Sequence, residues 1–248
     1  MLATRIIPTL LSRRGALVKG RGFQSNRVVG HALQAIRVYQ ARDCDELIVL
    51  DIGATPDERG PDFEMVSSFA SECFMPVTVG GGVNTCEHIR KLLASGADKV
   101  AIGTAAIENP GLIDEAARRF GSQAITIAID HKDRSVWVRC ARRREARDPV
   151  EWAREAADRG AGEILLTAIE RDGTLAGYDL NLIESVAGAV RIPVIAAGGA
   201  GSYEHLAQAL RAGAHAVAAG ALWQFTDATP KGAARYLAGQ GFNVRVAA

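Results

Sequence analysis

The chain has 248 residues, a formal net charge of +1 and a mean hydropathy of +0.04. That length suits one or two domains and is the usual span of a single α/β barrel. The near-neutral charge gives no general pull toward nucleic acid or an anionic membrane, and no apolar run approaches the roughly 20 residues of a spanning helix.

The first twenty residues hold Arg5, Arg13, Arg14 and Lys19 and no acid, a superficial likeness to a targeting presequence. Yet RIIPTLL (5–11) is apolar and β-branched, and ALVKG (16–20) keeps strand character, so the segment is expected to be the first strand of the fold. Further strands are predicted at 46–52, 76–81, 99–103, 124–130, 163–169, 193–199 and 216–220. Helical patterns lie between them, such as CEHIRKLLASG and PVEWAREAADRG, each stopping at a glycine. Continuous apolar strands alternating with helices imply parallel strands buried on both faces. Eight evenly spaced units predict a (β/α)₈ TIM barrel as one domain over 1–248, without an extra hairpin. An open doubly wound sheet is the runner-up. Cys44, Cys73, Cys86 and Cys140 are scattered with no CxxC pair, which suits a reduced cytoplasmic setting better than a disulfide framework or a zinc site. No metal or cofactor is expected.

The sequence repeats itself at one offset of 117 residues. Glu46 returns as Glu163, Gly81-Gly82 as Gly198-Gly199, Glu87-His88 as Glu204-His205, and Gly103 as Gly220. A shared offset through strands and loops predicts two related half-barrels. VGGGVNT and AAGGAGS each follow a strand and precede a helix. Backbone N–H groups there can approach an anion at a helix start. Paired with the strand ends GTAA (103–106) and GALW (220–223), they predict two phosphate sites facing each other across one mouth, one at Gly81, Gly82, Gly103 and Thr104, the other at Gly198, Gly199, Gly201, Gly220 and Ala221. The plainer reading is that these glycines only make tight turns. Asp130 ends the fifth strand and is a candidate general acid/base. Asp51 and Asp172 lie near strand ends and could equally cap or pair. His131 follows Asp130 and could reach the mouth, whereas His88 and His205 are expected on the surface.

These residues bring a family into view. MLATRIIP, LVKG, DELIVLDI, VGGGV, GADKVAIGTAAIENP, FGSQAITIAID, GAGEILLTAIERDGT, AGYD, IPVIAAGGAG and FNVR resemble, in order and along essentially the whole chain, the cyclase-subunit family of imidazole glycerol phosphate synthase. The resemblance implies a half-barrel-duplicated lyase-type subunit paired with a glutaminase as a heterodimer. Ammonia from glutamine crosses the barrel core to the opposite mouth and reacts there with a bis-phosphorylated ribulosyl intermediate. It implies phosphate or substrate contacts at Lys19, Asp51, Thr104, Asp172, Gly173 and the glycine clusters. At the other end it implies an ammonia gate of Arg5, Glu46, Lys99 and Glu163, with Asp98 at the glutaminase interface. Position also argues for that end, since each of the four begins its strand.

The family's second catalytic acid matches Asp130, but its strand-one acid falls on Leu11. A Ser-Gly-Lys-Lys type stretch reads Cys140-Ala141-Arg142-Arg143, an expected Asn is Gly103, and an expected Ser is Ala221. With SECFMP (71–76) and DPVEWA (148–153), the chain resembles more closely a surface-polysaccharide paralogue, although Thr9 replaces that paralogue's usual Cys. That likeness implies delivery of ammonia toward amidination of a nucleotide-activated sugar by a separate sugar amidotransferase. The alternatives are a histidine-pathway cyclase and a non-catalytic barrel that binds a phosphorylated metabolite.

Overall fold

The computed structural model describes residues 3–42 and 44–246. Eight parallel strands close on themselves: β1 (Arg5–Arg13), β4 (Leu47–Asp51), β5 (Val77–Gly80), β6 (Lys99–Ile102), β7 (Ile125–Lys132), β10 (Glu163–Ala168), β11 (Val194–Ala197) and β12 (Ala216–Ala219). Pairing of β12 with β1 and of β7 with β10 completes the ring, so the TIM barrel stands and the open sheet does not. The expected strands all form, most of them a residue or two shorter than the apolar runs. The N-terminal segment is structural, because Arg5–Arg13 is a barrel strand with neighbours on both sides.

Two hairpins were not anticipated. β2 (Ala16–Arg21) and β3 (Gln24–His31) fold back on the end of β1, and β8 (Ser135–Val138) and β9 (Arg143–Arg144) do the same on β7. Both extend the strands past the barrel at their C-terminal ends. Residues 24–29 of β3 are exposed on both faces, so no period-two burial signal marks them.

The helices are α1 (Ala32–Ala41), α2 (Phe63–Ala70), α3 (Cys86–Ala94), α4 (Thr104–Glu108), α5 (Gly111–Phe120), α6 (Pro149–Asp158), α7 (Leu180–Ala189), α8 (Tyr203–Arg211), α9 (Ala221–Phe225) and α10 (Pro230–Gly239). The repeat reappears in their caps. Thr85 and Ser202, 117 apart, accept the His88 and His205 amides; Asp62 and Asp179 accept those of Met65 and Leu182. Such caps satisfy amides that a helix start leaves unpaired.

Alternation along each strand divides the apolar residues in two. The larger core packs strands against helices, as with Ile125, Ile127 and Ile129. A separate inner cluster fills the barrel: Ile7, Ile48, Leu165, Ile195, Ala216 and Ala218, with Leu50, Ala128 and Ala197 against it. That inner cluster is made of aliphatic side chains, with no aromatic ring among them.

Candidate functional site

The C-terminal ends of the strands surround a cavity of about 500 Å³. Its wall brings together most of the expected residues: Lys19, Asp51, Gly81, Gly82, Gly103, Thr104, Asp130, Asp172, Gly173, Gly198, Gly199, Gly220 and Ala221. Leu11 is there as well, on the inner face of β1, level with Leu50 of β4.

Asp130 lies on the inner face of β7. Burial pushes its carboxyl up to about 7; a hydrogen bond with Thr167 opposes this and the Asp172 charge adds to it. Such a group exchanges protons near neutrality, as a general acid/base must. Lys19 is buried at 3 % exposure, and burial lowers its pKa although Asp172 attracts the charge. Burial likewise raises Asp172, against Lys19 and the Gly173 amide. A Cβ on Gly220 would fall on the Lys19 ammonium, so the glycine there makes room for the amine.

Asp130 fixes a stability profile. Its folded pKa lies above the ordinary ~3.9, so between about pH 4 and 7 the native state keeps a proton that the unfolded chain has released. Stability therefore falls as pH rises through that window. Asp130→Asn is expected to stabilise the fold above pH ~7 by at most about 4 kcal/mol, less in so far as the cavity solvates the carboxylate, with the gain vanishing near pH ~4. Urea unfolding at both ends of the range checks this.

Several of the expected site residues already have hydrogen-bond partners within the protein. Asp51 accepts from the Gly53 amide at 2.9 Å, the Ala54 amide at 3.2 Å and Arg59 Nη2 at 3.2 Å, so its carboxylate orders its own loop. Gly201 stands outside the cavity wall; its amide donates to His205 Nδ1 at 3.1 Å, and a Cβ would strike the Leu175 carbonyl. The Gly82 amide donates to Thr55 Oγ1 at 3.3 Å. Thr104 Oγ1 accepts the Arg139 amide at 2.9 Å. The helices starting at the cavity, α4 and α9, have five residues each, so their dipoles add little to anion binding.

His88 and His205 are half-buried rather than surface residues. His88 Nδ1 donates to the Gly82 carbonyl at 3.2 Å, and His205 accepts from Gly201, so each braces its own glycine loop. The shared 117 offset was the available signal. His131 does not reach the mouth: it is buried, 4.0 Å from Asp179, and burial pushes it down to about 4. Cys140 does line the cavity, its thiol pushed up to about 12 by burial, with the Asp130 charge next in effect; it is no nucleophile at neutral pH.

Gly81 and Gly198 both have φ in the left-handed range, +113 and +82 degrees, and a Cβ would meet the backbone of Asp51 and Ala168 respectively. Gly81→Ala is expected to cost about 1–3 kcal/mol from the strained φ alone, measured as a lowered denaturation midpoint.

At the opposite end, Arg5, Glu46, Lys99 and Glu163 form a closed ring. Arg5 donates to Glu46 Oε2 at 2.6 Å and to Glu163; Lys99 Nζ reaches Glu46 at 3.1 Å and Glu163 Oε2 at 3.0 Å. Burial alone would lower the Arg5 pKa, but the Glu163 and Glu46 carboxylates more than offset it and raise it. Thr78 donates to Glu46 at 2.8 Å. Asp98 is exposed on this face and accepts the Val77 amide at 2.8 Å.

Fold and site together define a (β/α)₈ barrel with a glycine-rimmed cavity at one end and a charged ring at the other. The family described as Histidine biosynthesis protein matches residues 5–227, and the chain belongs to it. In two strains of Caulobacter vibrioides, the imidazole glycerol phosphate synthase subunit HisF is 47% identical to this chain over 253 residues, covering 99% of this chain and 97% of that protein.

Proposed function

We propose that the chain is the synthase-side barrel of a glutamine amidotransferase. A glutaminase subunit docks over the charged ring, and its ammonia travels up the apolar interior to the cavity. Support comes from the ring and the cavity standing at opposite ends of one apolar core, in a chain similar to HisF from end to end. The cavity's glycines and Lys19 suit a phosphorylated ligand, held mainly by backbone amides because Gly103 and Ala221 carry no donor side chains.

What happens at the cavity turns on one residue. Leu11 stands on the inner wall where the family's first carboxylate would face Asp130. Leucine moves no proton, so the two-acid ring closure lacks a partner. On this observation we read the barrel as handing ammonia on to an acceptor. The acceptor class that the paralogue resemblance points to is the acetamido group of a nucleotide-activated sugar, converted to acetamidino by a separate amidotransferase in surface-polysaccharide synthesis.

The second reading is the histidine-pathway cyclase, forming imidazole glycerol phosphate and an aminoimidazole carboxamide ribonucleotide. The full-length identity to HisF favours it over any particular sugar acceptor. Complementation of a histidine auxotroph lacking its cyclase subunit, run beside co-purification with the glutaminase, separates the readings. Growth establishes the cyclase. Glutaminase binding without growth supports delivery, and loss of both leaves a non-catalytic phosphometabolite-binding barrel.

A further inference from the structure

The β2–β3 hairpin runs along the rim of the cavity and is fixed at both ends. At its base β2 pairs with the end of β1. At its tip the Gly22 amide donates to the Asp172 carbonyl at 2.9 Å, and Arg21 Nε donates to the Gly173 carbonyl at 3.3 Å. Phe23 and Asn26 form part of the cavity wall. β3 pairs with β2 alone, so its other edge is open. Ser25 has a left-handed φ of +54 degrees, which leaves residues 26–29 as the regular extended stretch, exposed on both faces. Val28 is 69% exposed and Val29 37%. Phe225 of α9, 47% exposed, lies under the Arg27 guanidinium, which stands 5.3 Å from the ring centre.

The charge on this hairpin has one sign, although the chain as a whole is near neutral. No Asp or Glu occurs through residue 42. Arg21 and Arg27 have no acidic partner among the described residues, while Arg13 and Arg14 share Asp57. Open strand edges are usually blunted by charge. Here the charge turns away a second copy of the chain, because self-pairing would bring arginines together with no acid to meet them. It does not turn away an acidic strand. An anionic lipid surface answers the charge but offers no ladder of donors and acceptors to the open edge, whereas an added strand does.

We propose that the outer edge of β3 is a docking edge at the cavity mouth, which takes an acidic, valine-rich extended segment of a second protein as an added strand. Main-chain bonds supply the attachment, and Arg27, Val28 and Phe225 supply the selection. A protein seated there stands over the end of the barrel opposite the charged ring. That this protein is the ammonia acceptor rests on the hand-on reading above; the docking edge itself does not.

The test uses the whole chain with a capped peptide of alternating glutamate and valine, and a lysine–valine peptide as control. Amide hydrogen exchange is read residue by residue. The acidic peptide should slow exchange at residues 26–29 saturably, and more so at low salt; the lysine peptide should not. Val28→Glu should weaken binding by about fivefold or more and leave the melting temperature unchanged, because that side chain is exposed. Arg27→Glu should weaken it likewise and shift preference toward the lysine peptide. No slowing by the acidic peptide, equal slowing by both, or slowing that survives Val28→Glu overturns the proposal. So does a dimer in sedimentation that Val28→Glu dissolves, which would make the edge self-pairing. Protection of residues 26–29 by phosphatidylglycerol vesicles in place of the peptide would make it a membrane face and overturns it too. Glutaminase co-purification is read separately: its failure in the wild type removes the ammonia-acceptor identity of the partner, while peptide binding at β3 still decides the edge.

Discussion

The unaltered protein is expected to show negligible ammonia-dependent turnover of the histidine-pathway intermediate, and Leu11→Asp to restore part of it. Asp130 is in place, with burial pushing its carboxyl up to about 7, so under the proposed reading one of the two acid/base groups is ready. The other is an alkyl side chain on β1, level with Leu50. A positioned acid/base group contributes about 10²–10⁴-fold, and loss of one member of a cooperating pair can remove most of the catalysis. A carboxylate at position 11 would also repel that of Asp130 and raise its pKa further, so the two would share protons between them. Rescue should stay partial. The β7–β8 hairpin leads into Arg139, Cys140 and Ala141, all with φ near +55 to +62 degrees, and this turn forms part of the cavity wall. Steady-state assays of wild type, Leu11→Asp and Leu11→Asp with Asp130→Asn check the scheme. Wild-type turnover equal to that of an ordinary cyclase would make the histidine pathway the better answer.

Glu46→Ala is expected to destabilise the barrel by about 3 kcal/mol, because removing one partner of a buried ion pair strands the others. Glu46 bridges Arg5 and Lys99 and accepts from Thr78, and its side chain is 2% exposed. Arg5 and Lys99 would then share Glu163 alone. High salt should recover little, since the ring is largely shielded from solvent. Replacing all four members with apolar residues of similar volume is a different experiment. Buried ion networks are often neutral or unfavourable beside well-packed apolar groups, so that variant should fold with a denaturation midpoint near or above wild type. It should also lose controlled passage of ammonia from the glutaminase. If instead the quadruple variant is as unstable as Glu46→Ala, the ring is a structural plug and the gate reading is wrong.

The barrel and the ends of its strands were legible in the chain. Apolar runs buried on both faces mark parallel strands, and the 117-residue offset marks two halves, now matched in the helix caps. Arg5, Lys99 and Glu163 open their strands and Glu46 directly precedes one, so their gathering at one end followed from position. The hairpins were not legible. β9 is two residues long and β3 is polar and exposed, and neither carries a pattern of burial. For Asp51 the sequence left capping and substrate contact equally open, because a carboxylate near a strand end looks the same whether it meets a substrate or the amides two and three residues on.

The amino-acid sequence by itself determined which residues alternate inward and, to within a residue, where each strand starts. Those are local properties, written in spacing and residue type. Tertiary structure decided the rest: that Gly201 is occupied by His205, that Asp130 titrates near 7, and that Thr126 lacks a partner while Thr78 has one. The physical reason is closure. Pairing β1 with β12 and β7 with β10 joins residues far apart in the chain, and burial, proton affinity and hydrogen-bond satisfaction depend on which of them then meet.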